Sequence, residues 1–252
     1  MTAIEWTDQT WNPVVGCSAV SPGCTNCYAI RMATRMSENP ATPQYHGTVR
    51  RSGNRMVWTG KISVVEKKLN EPYKWRTPRM VFVNSMSDLF HDDIPVEVVR
   101  RVFDVMRDTP QHTCQVLTKR HVRLMEMANH LPWPHNVWMG VSVENEDFLS
   151  RVSVLRDVPA AIRFLSLEPL LGSLPSLNLS GIHWVIVGGE SGHGARPCKE
   201  EWVRLIRDKC VANNVPFFFK QWGGVRPKSG GKVIDGREWC EFPKATHVGL
   251  GL

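Results

Sequence analysis

Three cysteines stand close together near the N-terminus. Cys17, Cys24 and Cys27 form a C-x6-C-x2-C arrangement within Asn12-Pro13-Val14-Val15-Gly16-Cys17-Ser18-Ala19-Val20-Ser21-Pro22-Gly23-Cys24-Thr25-Asn26-Cys27-Tyr28-Ala29. A structural zinc site normally closes its tetrahedron with four protein ligands, whereas three thiolates on a four-iron cluster leave one iron open to an outside ligand. No fourth thiol accompanies these three, so the spacing points to a [4Fe-4S] cluster with an open iron, held by Cys17, Cys24 and Cys27. Cys114, Cys198, Cys210 and Cys240 are scattered and read as small packed apolar residues.

A second set of polar residues gathers just after apolar runs: Asn84-Ser85-Met86-Ser87-Asp88, Thr118-Lys119-Arg120, Ser142 with Glu144-Asn145, Ser166 with Glu168, Gly188-Gly189-Glu190-Ser191, and Lys220-Gln221. Any one of these would serve as a helix cap or turn former. Their recurrence at successive run ends favours one shared pocket.

The elements that must position them follow from the apolar pattern. Short β-branched runs alternate with helical patterns, the signature of β-α units around a parallel sheet. Strands are expected at residues 57–58 running into 62–65, and at 80–83, 113–117, 137–143, 162–167, 183–187 and 216–219; another near 11–15 brings the count close to eight. Helices are expected at 95–107, 120–128, 145–155 and 200–213, and Val98, Val99, Val102, Phe103 and Met106 make one stripe for packing on the sheet. The expected fold is α/β: a single (β/α) TIM-like barrel, complete or partial, over residues 1–221, with its site at the C-terminal strand ends. Residues 222–252 read as a C-terminal extension, a flexible basic segment over 222–232 and then a hairpin turning at Asp235-Gly236. The polar stretch 34–54, with Pro40, Pro43 and Gly47, reads as a mobile cover or an irregular loop.

Composition narrows the class. The chain has 252 residues, 42% of them apolar, enough for one large core. It has no run of about 20 apolar residues and no basic-then-apolar leader, so a cytoplasmic protein without a membrane span is expected. A reducing compartment also suits seven cysteines used as ligands or packing groups rather than as disulfides. A formal charge of +7 and ten tryptophans suit a polyanion whose bases stack on flat rings, although a solvated basic face accounts for the charge equally well. Basic residues concentrate only in Arg50-Arg51-Ser52-Gly53-Asn54-Arg55 and Lys119-Arg120-His121-Val122-Arg123.

Asn12-Pro13, Gly16-Cys17 and Gly23-Cys24-x-x-Cys27-Tyr28-Ala29 resemble the cluster loop of the radical S-adenosylmethionine enzymes, in particular the spore photoproduct lyase-like branch. That branch carries C-x3-C-x2-C, so this chain has three more residues between its first two cysteines. Over nearly its full length the chain resembles a phage-associated three-cysteine-motif family of unassigned activity. The marks are Glu5-Trp6-Thr7-Asp8-x-Thr10-Trp11-Asn12-Pro13, Asn84-Ser85-Met86-Ser87-Asp88-Leu89-Phe90, Ser166-Leu167-Glu168-Pro169-Leu170-Leu171-Gly172, Gly188-Gly189-Glu190-Ser191-Gly192 and Lys220-Gln221-Trp222-Gly223.

The lyase-like resemblance implies a barrel of the radical type, S-adenosyl-L-methionine as cofactor, and a 5′-deoxyadenosyl radical as the reactive species. Val116-Leu117-Thr118-Lys119 looks like that branch's fourth-strand motif and Gly140-Val141-Ser142-Val143 like its fifth, which places Lys119 and Ser142 near the cofactor, with Asp88 similarly placed. Gly188-Gly189-Glu190 spells the motif that elsewhere holds the cofactor's amino group, there after the second strand and here late in the chain. Glu190 would face either cofactor or substrate, or the Gly-Gly turn would serve close backbone approach. Lys119, Glu168 and Glu190 are the expected catalytic residues. The resemblance also implies a dedicated partner protein encoded nearby.

Three functions compete at this point. The first is a cluster-dependent radical enzyme with nucleic acid as the favoured substrate. The second is a non-catalytic metal-bearing nucleic-acid-binding protein, in which a histidine such as His46 closes the site on the three thiolates. The third uses Asp88, Glu168 and Glu190 for hydrolytic acid-base work and leaves the cysteines structural.

Overall fold

Side chains alternate across a strand, so a parallel strand with helices on one side only needs a different kind of residue on each face. The structure, a computed structural model, describes residues 4–226 and 229–244 and shows how this chain meets that need. Strand β1 (Gln9–Trp11) is followed by an excursion of β2 (Val14–Val15), α1 (Tyr28–Ser37), β3 (Val49–Ser52), β4 (Arg55–Trp58), β5 (Ser63–Val64) and the short α2 (Glu66–Leu69). The chain then runs through β6 (Met80–Val83), α3 (Val96–Asp108), β7 (Thr113–Thr118), α4 (His121–Ala128), β8 (Val137–Ser142), α5 (Ser150–Arg156), β9 (Ile162–Leu167), β10 (Trp184–Gly188), α6 (Glu200–Ala212) and β11 (Phe217–Gln221). Two short strands follow, β12 (Val233–Ile234) and β13 (Arg237–Glu238).

Seven strands make one all-parallel sheet in the order β1-β6-β7-β8-β9-β10-β11. One face of it, with Val81, Val83, Val116, Met139, Val141, Leu165, Val185, Val187, Phe217 and Phe219, buries against Val99, Val102, Phe103 and Met106 of α3 and against Leu124, Leu155, Val203 and Ile206 of the later helices. The other face carries Phe82, Trp138, Phe164, Trp184, Ile186 and Phe218, with Trp6 packed among them. Trp184 lies edge-on to Trp6, Trp138 and Phe218 at centroid distances of 6.4, 6.0 and 6.2 Å, the arrangement that aromatic quadrupoles favour.

The sheet is a curled, open half-barrel, which corrects the TIM-like barrel expected from the sequence. Closure fails for three physical reasons. The runs read as a strand over 57–65 go elsewhere: β4 pairs antiparallel with β3, and β5 with β2. No helix crosses between β9 and β10. The free edge of β11 is taken by the returning chain, with Phe219 N donating to Trp239 O at 2.8 Å and Glu241 N to Phe217 O at 3.1 Å. A covered edge has no donors left for β1.

That return makes the C-terminal part of the described chain integral to the fold. Ile234 and Trp239 belong to the main core, and β12 and β13 pair across Asp235 and Gly236, whose φ values of 50° and 82° are those a tight hairpin turn requires. Residues 227 and 228 of the segment read as flexible lie outside the described residues. The polar stretch over 34–54 is the end of α1 and the β3-β4 hairpin. Ala29, Ile30 and Ala33 of α1 pack with Val49 and Trp58 in a small separate core. No helix among the described residues is long and apolar enough to cross a membrane.

Candidate functional site

Because all strands of the main sheet run parallel, the loops after β6, β7, β8 and β10 emerge on one side. The cysteine segment, residues 12–28, spans them like a roof. Asn12 Oδ1 accepts from Met86 N at 2.9 Å, and Gly16 bridges Ser87 in the loop after β6. Tyr28 Oη donates to Ser85 O at 2.9 Å. After β7, Arg120 donates to Ser18 Oγ at 2.6 Å and to Asp92 Oδ2 at 2.7 Å. Asp93 N donates to His91 Nδ1, which leaves Nε2 to carry the proton and donate to Ser18 Oγ at 2.8 Å. Burial, and then the Arg120 charge, hold His91 below its ordinary pKa, consistent with that neutral ring. After β8, Ser21 Oγ donates to Glu144 Oε1 at 2.5 Å, and Glu144 also pairs with Arg151 at 2.8 Å, both side chains buried.

The loop after β10 closes the other side. Glu190 Oε2 accepts from Asn26 Nδ2, Arg196 N and Arg196 Nε, each at 2.9 Å, and its Oε1 pairs with the Arg196 guanidinium. Arg196 in turn donates to Pro22 O at 2.9 Å. Burial by itself would raise the Glu190 pKa, but the hydrogen bonds from Arg196 and Asn26 outweigh it and hold the carboxyl below its ordinary value.

The three thiols fall within electrostatic reach of one another. Burial pushes Cys17 up to about 12, with Asp88 adding to the rise, Arg120 opposing it, and Cys27 and Cys24 adding further. Cys27 is also raised by burial, against the amides of Ala29 and Ile30 and the Lys119 ammonium. As they stand, no three His, Cys, Asp or Glu side chains among the described residues are gathered closely enough to hold a metal ion. Cys17 Sγ points to Ser18 O at 3.4 Å, and Cys24 Sγ lies 3.9 Å from Ser21 Oγ. His46 stands exposed ahead of β3 and joins no such group. The donor set nonetheless fits an iron-sulfur cluster. Three soft thiols share one roof, and burial, with a smaller contribution from the neighbouring thiols, raises Cys17 and Cys27 toward the neutral form, which a bound cation would reverse. The buried Oγ of Ser87, whose backbone bridges Gly16, has no hydrogen-bond partner among the described residues, an unmet polar group of the kind a bound species satisfies.

The other sequence-derived residues divide in two. Asp88 is locked, with Oδ1 accepting from Thr118 Oγ1 at 2.7 Å and Phe90 N at 3.0 Å, and Oδ2 from Lys119 N at 3.1 Å. Glu168 pairs with Lys220 at 3.0 Å, in space that a side chain on Gly188 would invade, since a Cβ there would sit 2.7 Å from Glu168 Oε1. Gly189 N donates to Gln221 O at 2.9 Å, and its own missing Cβ admits Trp222 O. Lys119 is half-buried, and its ammonium has no hydrogen-bond or ion-pair partner among the described residues. Ser142 is buried at the end of β8. Sequence reasoning passed over Ser18, Ser21, Asn26, His91, Arg151 and Arg196, whereas Glu144 stood in the polar set expected after the strands. Those six follow no spacing rule.

Such an arrangement defines an open α/β half-barrel whose C-terminal strand ends are roofed by a three-thiol loop. The chain belongs to the DUF5131 family: the family model described as "Protein of unknown function (DUF5131)" matches residues 1–243. No curated protein matches the chain, and no solved structure does.

Proposed function

We propose that this protein is a cluster-dependent radical enzyme of the S-adenosylmethionine type, acting on nucleic acid. The observation that supports this most is the grouping of Cys17, Cys24 and Cys27 on one loop across the C-terminal strand ends, next to the unpartnered Lys119. Cys17, Cys24 and Cys27 would hold a [4Fe-4S] cluster, whose chemistry when bound is one-electron cleavage of S-adenosyl-L-methionine to methionine and a 5′-deoxyadenosyl radical. Lys119 would neutralise a carboxylate near Cys27. Ser142 would offer a hydroxyl from the strand end. Glu190 acts indirectly in this reading: clasped by Asn26 and Arg196, it positions the cysteine loop. The aromatic layer around Trp184 keeps water from the lower half of the sheet's inner face.

The hydrolytic reading is less favoured, because Asp88 and Glu190 spend both carboxylate oxygens on partners within the chain and Glu168 is paired through one with Lys220. The test is anaerobic reconstitution with iron and sulfide, followed by electron paramagnetic resonance with and without S-adenosyl-L-methionine and an assay for 5′-deoxyadenosine. A signal that shifts with the cofactor and vanishes in Cys17→Ala, Cys24→Ala and Cys27→Ala supports the reading. Bound zinc, with no response to the cofactor, overturns it in favour of a non-catalytic metal-bearing binding protein.

A further inference from the structure

A cleft of about 340 Å³ opens beside Cys27, between α1, the β3-β4 hairpin and the loop after β10. Its lining includes Arg31, Arg55 and His193, with Ser191 as a further hydrogen-bonding group, and no Asp or Glu. Arg31 is held in place: it donates to Ser191 O at 3.1 Å, and its guanidinium lies over Gly192, where a Cβ would collide with one of its nitrogens. Gly192 has a φ of 120°, so the backbone there is one that side chains rarely adopt. Most of the Arg31 donors remain free after that single bond. Arg55 is exposed at the start of β4, and its side chain has no hydrogen-bond or ion-pair partner among the described residues. Glu190, which the lining residue Asn26 contacts, is already paired with Arg196.

Two guanidinium groups without a carboxylate, converging on a concave surface from separate elements, call for an anion with several acceptor oxygens. We propose that this cleft binds the phosphate ester of a nucleotide or nucleotide strand, with Arg31 and Arg55 as its anchors. A cleft of this volume accommodates one nucleotide unit. The inference rests on the reading above only in making that phosphate ester part of the substrate, since the binding itself needs no cluster.

The experiment measures binding of a fluorescein-labelled single-stranded oligonucleotide to the full chain, with nucleoside 5′-monophosphate and inorganic phosphate as competitors. Arg31→Ala and Arg55→Glu are each expected to weaken binding at least tenfold. Each should also reduce the slope of log affinity against log salt by about 0.7 for every phosphate no longer neutralised. Arg100→Glu, an exposed site on α3 away from the cleft, should bind as the wild type does. Competition by the monophosphate at concentrations matching the oligonucleotide's own dissociation constant would identify a free nucleotide as the ligand, and its failure would identify a strand. Absence of wild-type binding, unchanged binding in both cleft variants, or an equal loss in Arg100→Glu overturns the proposal. Binding that depends on Arg31 and Arg55 in a protein that ignores S-adenosyl-L-methionine would keep the cleft and remove the radical reading. The reverse result would remove the cleft alone.

Discussion

Ser21 Oγ lies 2.5 Å from Glu144 Oε1, so a residue between the first two cysteines is bonded to the end of β8 through a carboxylate that also holds Arg151. The cysteine loop is thereby fastened to a buried ion pair beneath it. Removing Glu144 strands the Arg151 charge in the interior. Glu144→Ala is expected to cost about 3–5 kcal/mol, the range for breaking a buried pair. Ser21→Ala loses one hydrogen bond to a charged group and should cost about 1.5–3 kcal/mol. Urea unfolding midpoints measure both, and equal small losses would show that the pair is not what holds the loop.

Glu190 fastens the same loop from the opposite side and adds a pH dependence. Its carboxyl is held below its ordinary value of 4.5, so its contribution to stability is complete above that pH and declines as pH falls through the lower, folded value. Stability measured from neutral pH downwards should show this acid loss in the wild type. In Glu190→Gln it should be smaller, and an unaltered acid slope would rule out the clasp as its source.

Lys119 tests the site chemistry without disturbing the fold. Its ammonium has no partner among the described residues, so Lys119→Met should change stability by no more than about 0.5 kcal/mol. Affinity for S-adenosyl-L-methionine in the reconstituted protein should fall by about tenfold or more, equivalent to roughly 1.4 kcal/mol. Unchanged affinity would remove Lys119 from the cofactor site.

Cys17 carries a prediction about the metal-free protein. With its thiol pushed up to about 12, mainly by burial, it should resist iodoacetamide in the folded state and react readily once unfolded. Peptide mass spectrometry after brief alkylation reads this directly. Fast labelling of folded protein would mean that the thiol is ionised or exposed.

The strands at 80–83 and 162–167 and the apolar stripe of α3 were legible because periodicity is local: a period of two or of about three and a half shows which face must be covered. The same rule misplaced 57–65, whose β-branched residues satisfy a hairpin as well as a parallel strand. Periodicity identifies strands without identifying their partners. The helix over Tyr28–Ser37 escaped notice because its buried face is only Ala29, Ile30 and Ala33 among polar neighbours.

By itself, then, the sequence determined the three clustered thiols, the parallel β-α character and the turn at Asp235-Gly236, all of which lie in contiguous stretches of chain. Tertiary structure alone decided that the sheet stays open, because closure depends on whether the edge of β11 meets β1 or the returning chain at Trp239 and Glu241. It also decided what holds the cysteine loop. Asn26 meets Glu190 across 164 positions and Ser21 meets Glu144 across 123, and pairings so distant arise from the packing of whole elements rather than from local spacing.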